Sequence, residues 1–169
     1  SIELTHHWLA RGMKHFGQTS PVYGYEQYYF PIVQGSVYPD LREISAREIC
    51  SYQAAGYAIG GLSVGEPEAL MYEMIDVVTA ILPRDRPRYL MGVGTPVNLL
   101  ESISRGIDMF DCVMPTRLAR NGTAFTARGR YPVKAGEYKS DPRPIEEGCE
   151  CMACRRFSRA YIRHLLNVG

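Results

Sequence analysis

The stretch Tyr57-Ala-Ile-Gly-Gly-Leu62, followed after a short turn by Pro67-Glu-Ala-Leu-Met-Tyr-Glu-Met-Ile-Asp-Val-Val-Thr-Ala-Ile-Leu82, decides the fold. Its first part is a short apolar run with two glycines at its end, which reads as a strand. In its second part Leu70, Met74, Val77, Val78 and Ile81 recur at the 3.6-residue period of a helix. Pro67 suits the first helical turn. The same unit recurs on both sides. Upstream, Tyr28–Gly35 reads as a strand and Asp40–Ala55 as a helix carrying Leu41, Ile44, Ile49 and Tyr52 towards a core. Downstream, Arg88–Gly94 reads as a strand, Pro96–Arg105 as a helix with Leu99, Leu100 and Ile103 inward, and Met109–Met114 as a fourth strand. A helix over residues 2–16, with Leu4, Trp8 and Leu9 on one side, and a loop over Gly17–Gln27 precede these units.

Alternating short strands and helices predict a parallel sheet covered by helices. The unusual residues collect at the strand C-terminal ends: Gln34, Gly60-Gly61, Met91-Gly92 and Asp111. A β/α barrel and an open doubly wound sheet both place their sites at that end. Gly92-Val93-Gly94 lacks the third glycine of a dinucleotide fingerprint, which argues against a Rossmann cofactor site.

The chain has 169 residues, 46% hydrophobic and 22% charged, an ordinary globular composition with room for a sizeable core. No apolar run approaches the roughly 20 residues that span a bilayer, so no membrane partner is expected. The net charge of +1 does not announce a nucleic-acid binder. Its distribution is more telling. Between Cys112 and Gly136 there is no acid, whereas Arg117, Arg120, Arg128, Arg130 and Lys134 are present. That patch suits a phosphate backbone; a solvated basic face is the plainer alternative.

Within Gly106–Arg120 an acid, Asp111, sits in the apolar run Met109-Phe-Asp-Cys-Val-Met114. A buried strand there would make Asp111 costly unless it is paired or reactive. Pro115 is expected to end the strand, with Arg117 and Arg120 in a following loop. Acid first and fixed cations next suit a buried nucleophile or base beside an anionic substrate. An Asp that caps the next segment, with solvated arginines, fits the same residues.

Of five cysteines, Cys50 and Cys112 fall in apolar patterns and read as reduced core residues. Cys149, Cys151 and Cys154 form C-x-C-x2-C just before a basic helix, Arg155–Asn167. This is metal spacing in a reducing compartment, and thiolates favour zinc with four ligands. His164 lies ten residues past Cys154 on that helix, roughly 15 Å along it, a poor fourth ligand. Gly122–Pro144 is turn-rich, with strand-like Ala124-Phe-Thr126 and Tyr131-Pro-Val133. The chain begins in helical pattern without Met and stops just after a helix, so it reads as part of a longer protein.

Together, Val33-Gln34-Gly35, Gly60-Gly-Leu-Ser-Val-Gly-Glu66, Tyr89-Leu-Met-Gly-Val-Gly94, Asp108-Met-Phe-Asp-Cys-Val113 and the cysteine cluster resemble the tRNA-guanine transglycosylases, from about Tyr28 to Gly169. The resemblance implies the second half of a (β/α)8 TIM-type barrel plus the start of a zinc-binding subdomain: a partial barrel over 1–148 and the subdomain start over 149–169. It implies exchange of guanine at the tRNA wobble position for a 7-deazaguanine in queuosine biosynthesis. Asp111 falls where the family has its nucleophile, which forms a covalent ribosyl-enzyme. Gln34, Gly61, Leu62 and Met91 match residues that bind or cover the base. Gly92, Val93, Gly94, Thr95, Pro96, Val97 and Asn98, and Thr116, Arg117, Leu118, Ala119 and Arg120, match tRNA-contacting segments.

Cys149, Cys151 and Cys154 match three zinc ligands, the fourth being a histidine further on. Val64, where eukaryotic members tend to have Gly, implies a bacterial type using 7-aminomethyl-7-deazaguanine. The resemblance also implies a cytoplasmic homodimer for the complete enzyme. The family's general acid/base lies in the first half of the barrel, so this chain alone is expected to be inactive. The rival readings are a non-catalytic, zinc-stabilised tRNA-binding module or subunit, and an archaeal-type relative acting elsewhere in tRNA.

Overall fold

The computed structural model describes residues 2–168. Backbone contacts divide the chain into two compact units, one through Cys112 and one from Val113.

The first unit is a parallel sheet with helices. Its strands are β1 (Ile32–Val33), β2 (Tyr57–Ile59), β3 (Arg88–Leu90) and β4 (Met109–Phe110), and its helices α1 (Ile2–Gln18), α2 (Pro39–Cys50), α3 (Glu68–Thr79) and α4 (Pro96–Ser104). Sheet order follows chain order, β1-β2-β3-β4, and every pair is parallel. Register sets Ile32 beside Ala58, Ala58 beside Tyr89, and Tyr89 beside Met109. The strands are shorter than the sequence suggests. Gly61 explains one early stop. Its φ of +66° lies in the left-handed region, which turns the chain out of β2 and which glycine enters without strain.

β2 is buried throughout, and Val33, Ile59, Leu90 and Val93 meet Met71, Met74, Ile75 and Val78 of α3 in the core. The alternation of strand and helix therefore stands, but three helices turn differently from the expected faces. On α1 only Leu9 is buried, and Leu4 and Trp8 are exposed. On α2 the buried row is Arg42, Ser45, Ala46 and Ile49, while Leu41 and Ile44 face out. On α4 it is Asn98 and Ser102, with Leu100 and Ile103 exposed. On α2 hydrogen bonds of Arg42 and Ser45 with neighbouring segments join the burial of Ala46 and Ile49 in fixing the inward face, and on α4 the bonds of Asn98 do so. Cys50 is half-buried, and burial pushes its thiol pKa up.

The second unit contains α5 (Met114–Arg120), a hairpin of β5 (Thr123–Thr126) and β6 (Gly129–Pro132), a 3-10 turn over Gly136–Tyr138, α6 (Met152–Arg156) and α7 (Arg159–Val168). The basic helix expected over Arg155–Asn167 is thus broken at Phe157. Among the described residues of this unit Val133 is the one buried hydrophobic side chain. A polar knot replaces a large core. The buried Asp141 carboxylate takes bonds from Arg143 Nη2 at 2.8 Å and Arg159 Nη1 at 3.0 Å. Arg159 also donates to the carbonyls of Pro144 and Ile145 and lies over the Tyr131 and Tyr138 rings. No helix among the described residues is long and apolar enough to cross a membrane.

Candidate active site

Gln34, Gly61, Met91 and Asp111 each stand just past the C-terminal end of one of the four parallel strands. Asp111 is not buried, contrary to the expectation from its apolar neighbours. It is exposed, as are Met109 and Val113. Among the described residues β4 is two residues long and pairs with β3 alone. Donors hold the carboxylate in place of burial. Oδ1 accepts from the Tyr89 hydroxyl at 2.6 Å and from the Gly92 N–H at 2.8 Å. These bonds favour the ionised form and lower the Asp111 pKa, the tyrosine contributing most. The tyrosine pKa is raised in turn, so it remains a donor.

Gln34 and the Gly60-Gly61 turn lie against each other. A Cβ on Gly61 would sit 2.7 Å from Gln34 Oε1, and one on Gly60 would sit 3.0 Å from Gln34 Nε2 and 3.5 Å from Met91 Sδ. Gln34, the glycine turn and Met91 are therefore neighbours, and a side chain on either glycine would crowd the Gln34 amide. Leu62 is buried and Met91 half-buried. A cleft of about 400 Å³ has Gln34, Gly35, Gly61 and Val64 on its wall, with Ile2 and Thr5 of α1. The Glu66 carboxylate holds the loop by accepting from the N–H groups of Ser63 and Val64, and these bonds help lower its pKa against the opposing effect of burial.

Two residues that hold these segments carried no individual signal in the sequence. Arg42 donates to the carbonyls of Ser36, Gly60 and Gly61 at 2.7, 2.7 and 3.0 Å. Ser45 Oγ accepts the Gln34 N–H at 3.0 Å and lies 3.3 Å from His6 Nε2. The spacing 42, 45, 46, 49 is a helical row that could have revealed them, but Leu41 and Ile44 offered a competing apolar one.

The expected RNA-contacting segments differ in character. In the first, Gly92, Pro96 and Val97 are exposed and Gly94 and Thr95 half-buried, but Val93 and Asn98 are buried. Asn98 is committed to structure. It forms a capping box with Thr95 and donates from Nδ2 to Glu68 at 3.0 Å and to the Tyr72 hydroxyl at 2.8 Å. The second segment is helical rather than a loop. Pro115 starts α5 instead of merely ending a strand, since its missing N–H costs nothing in a first turn. Thr116, Arg117, Ala119 and Arg120 are exposed on α5, with Leu118 half-buried. Arg117 and Arg120, three residues apart, share a face.

In the second unit the sulfurs of Cys149, Cys151 and Cys154 lie within 4.8 Å of one another. Thiolates bonded to one zinc at about 2.3 Å stand a little under 4 Å apart, so a small closure fits them to one ion. Cys151 opens α6, and its sulfur accepts the Cys154 N–H at 3.5 Å. That bond leads the effects lowering its pKa, whereas burial raises that of Cys154. Cys149, Cys151 and Cys154 form the one such group found among the described residues, and His164 is not in it.

A parallel sheet whose polar and glycine residues gather at the carboxyl ends of its strands has the layout of an α/β fold that places its site there; the second unit separately carries a thiolate cluster able to hold a metal ion. A family model described as queuine tRNA-ribosyltransferase matches residues 1–169, and the chain belongs to that family. Proteins of that name from Caldanaerobacter subterraneus subsp. tengcongensis and Symbiobacterium thermophilum are 54% and 55% identical over 99% of this chain. One from Desulforamulus reducens is 58% identical over 85% of it. The chain spans 44%, 41% and 39% of the lengths of these three relatives, respectively.

Proposed function

We propose that this chain supplies the nucleophile and part of the base-recognition edge of a tRNA-guanine transglycosylase, on the second half of a (β/α)8 barrel with the start of its zinc subdomain. The observation that carries the reading is Asp111, exposed at a strand end with Oδ1 fixed by Tyr89 and Gly92. The ionised carboxylate attacks ribose C1′ of the wobble nucleotide. The C1′–N9 bond breaks, and guanine departs with its electron pair and gains a proton. The covalent ribosyl ester divides one difficult displacement into two easier ones. The N9 of the incoming base then attacks C1′, loses its proton and returns Asp111 as carboxylate.

Gln34, the Gly61 N–H and the Leu62 carbonyl bind the base edge, and Met91 covers its face. The larger side chain at Val64 favours the smaller 7-aminomethyl-7-deazaguanine over queuine. Arg117 and Arg120 meet the phosphates near the wobble nucleotide. Cys149, Cys151 and Cys154 would hold zinc, which supplies folding energy to the second unit rather than chemistry. Guanine exchange requires a general acid/base beyond the residues of this chain, so the chain alone is inactive, and the complete enzyme works in the cytoplasm as a homodimer.

The test is denaturing mass spectrometry of the chain mixed with target tRNA, with and without the N-terminal half of a relative. A covalent RNA adduct that needs both halves and disappears in Asp111→Asn is expected. Tight tRNA binding without any adduct would instead favour a non-catalytic tRNA-binding subunit. For the metal, cobalt(II) added to reduced chain is expected to give thiolate charge-transfer absorption, lost in Cys151→Ser; an unchanged spectrum in that variant would remove the cluster from the proposal.

A further inference from the structure

We propose that Arg42 is a positioning residue for the base-binding edge, aiming the Gly61 N–H by holding the carbonyl at the other end of the same peptide unit. The inference rests on the transglycosylase reading, which sets a purine against Gly61.

Arg42 is wholly buried, at 0% exposure. Among the described residues no carboxylate lies within ion-pair distance of it; its donors go to main-chain carbonyls. Nε bonds Ser36 O beyond β1, Nη1 bonds Gly60 O, and Nη2 bonds Gly61 O beyond β2. A guanidinium without a paired anion is a costly thing to bury, and an aliphatic side chain would fill the space under a helix without that cost. Burial lowers its pKa to about 10, which leaves it charged at neutral pH.

The planarity of the peptide bond converts this contact into direction. In a trans peptide the C=O and N–H point opposite ways. The Gly60 carbonyl is turned to Arg42, so the Gly61 N–H points away from it. The Gly61 carbonyl is also held, which fixes the Leu62 N–H in the same manner. A cation at the carbonyl end further polarises the amide and strengthens its N–H as a donor. Gln34 lies against the same glycine, so a base bound there meets both groups. Guanine and a 7-deazaguanine share the 6-oxo group, whereas N7 is a carbon in the latter. The 6-oxo oxygen is therefore the acceptor for an N–H that must serve both bases.

The test uses the complete enzyme, with this chain joined to the N-terminal half its relatives carry. Guanine binding is compared with that of 2-aminopurine, which lacks the 6-oxo group, by competition against labelled guanine. The preference between two ligands comes from the folded fraction alone, so partial unfolding of a variant does not distort it. Arg42→Gln is expected to cut the preference for guanine about tenfold, the loss of one well-aimed hydrogen bond, with 2-aminopurine binding little changed. Arg42→Lys, which keeps the cation, is expected to recover part of it. Equal weakening of both ligands, or an unchanged preference in both variants, would reduce Arg42 to packing and overturn the proposal. Absence of guanine exchange in the unmutated complete enzyme would instead remove the transglycosylase reading beneath it.

Discussion

Two donors on one oxygen of Asp111 do what burial was expected to do. The Tyr89 hydroxyl and the Gly92 N–H both reach Oδ1, which restrains the exposed carboxylate at the strand end. Their effect on ionisation has a definite sign. Both lower the pKa, so Asp111 stays ionised further into acid than a free carboxylate of pKa about 3.9. Tyr89→Phe keeps the ring and removes the leading donor. The acid limb of adduct formation should then move to higher pH, and the adduct should form several-fold more slowly at neutral pH through loss of orientation. Rapid-quench measurement of adduct against pH in the complete enzyme checks both effects. An unmoved limb would mean that the hydroxyl bond is incidental.

At the scale of elements, helices and strands were legible where apolar period and turn residues agreed, as in α3 with its row Met71, Met74, Ile75 and Val78. They were less legible in α2 and α4, whose inward rows include the polar residues Arg42, Ser45, Asn98 and Ser102. Arg42 and Asn98 are buried because their donors meet carbonyls and side chains of neighbouring segments, a tertiary fact with no trace in hydropathy. The candidate site was legible because Gln34, Gly61, Met91 and Asp111 punctuate strand ends, and a punctuating residue stands out from an apolar run. The burial of Asp111 was not legible, because its apolar neighbours Met109 and Val113 are themselves exposed and so their hydropathy misleads. Asn98 gives the prediction proper to this scale. Asn98→Ala removes the reciprocal half of the α4 capping box and leaves the Thr95 N–H and the Glu68 and Tyr72 groups short of a partner, while the Thr95 hydroxyl still accepts the residue-98 N–H. The expected cost is about 1–3 kcal/mol, read from the urea midpoint of the first unit. A midpoint unchanged within error would show that water replaces the side chain without loss.

At the scale of the whole chain, the two units rest on different forces, and they should part company in acid. The first unit is held by a packed apolar core, and its buried cations Arg42 and Arg88 do not titrate in acid, whereas the second depends on the Asp141 carboxylate and its two arginines. The Asp141 pKa lies well below the usual range, with the Arg143 hydrogen bonds the largest cause and burial opposing them. A group whose folded pKa is depressed contributes its full stability above the unfolded pKa of about 3.9 and loses it as pH falls towards the folded value. The second unit should therefore loosen below about pH 4, before the first does. Trp8, the single tryptophan, reports on the first unit by fluorescence, and Tyr131 and Tyr138, stacked 4.7 Å apart, report on the second by near-ultraviolet circular dichroism. The two signals should fall at separate pH values, the tyrosine signal at the higher. Asp141→Asn keeps the shape but not the charge. It should weaken the second unit already at neutral pH and make its residual stability nearly insensitive to pH between about 3 and 5, because the titrating group is gone. Coincident transitions in the unmutated chain would show that the units unfold as one, and that the carboxylate knot is not what limits the second.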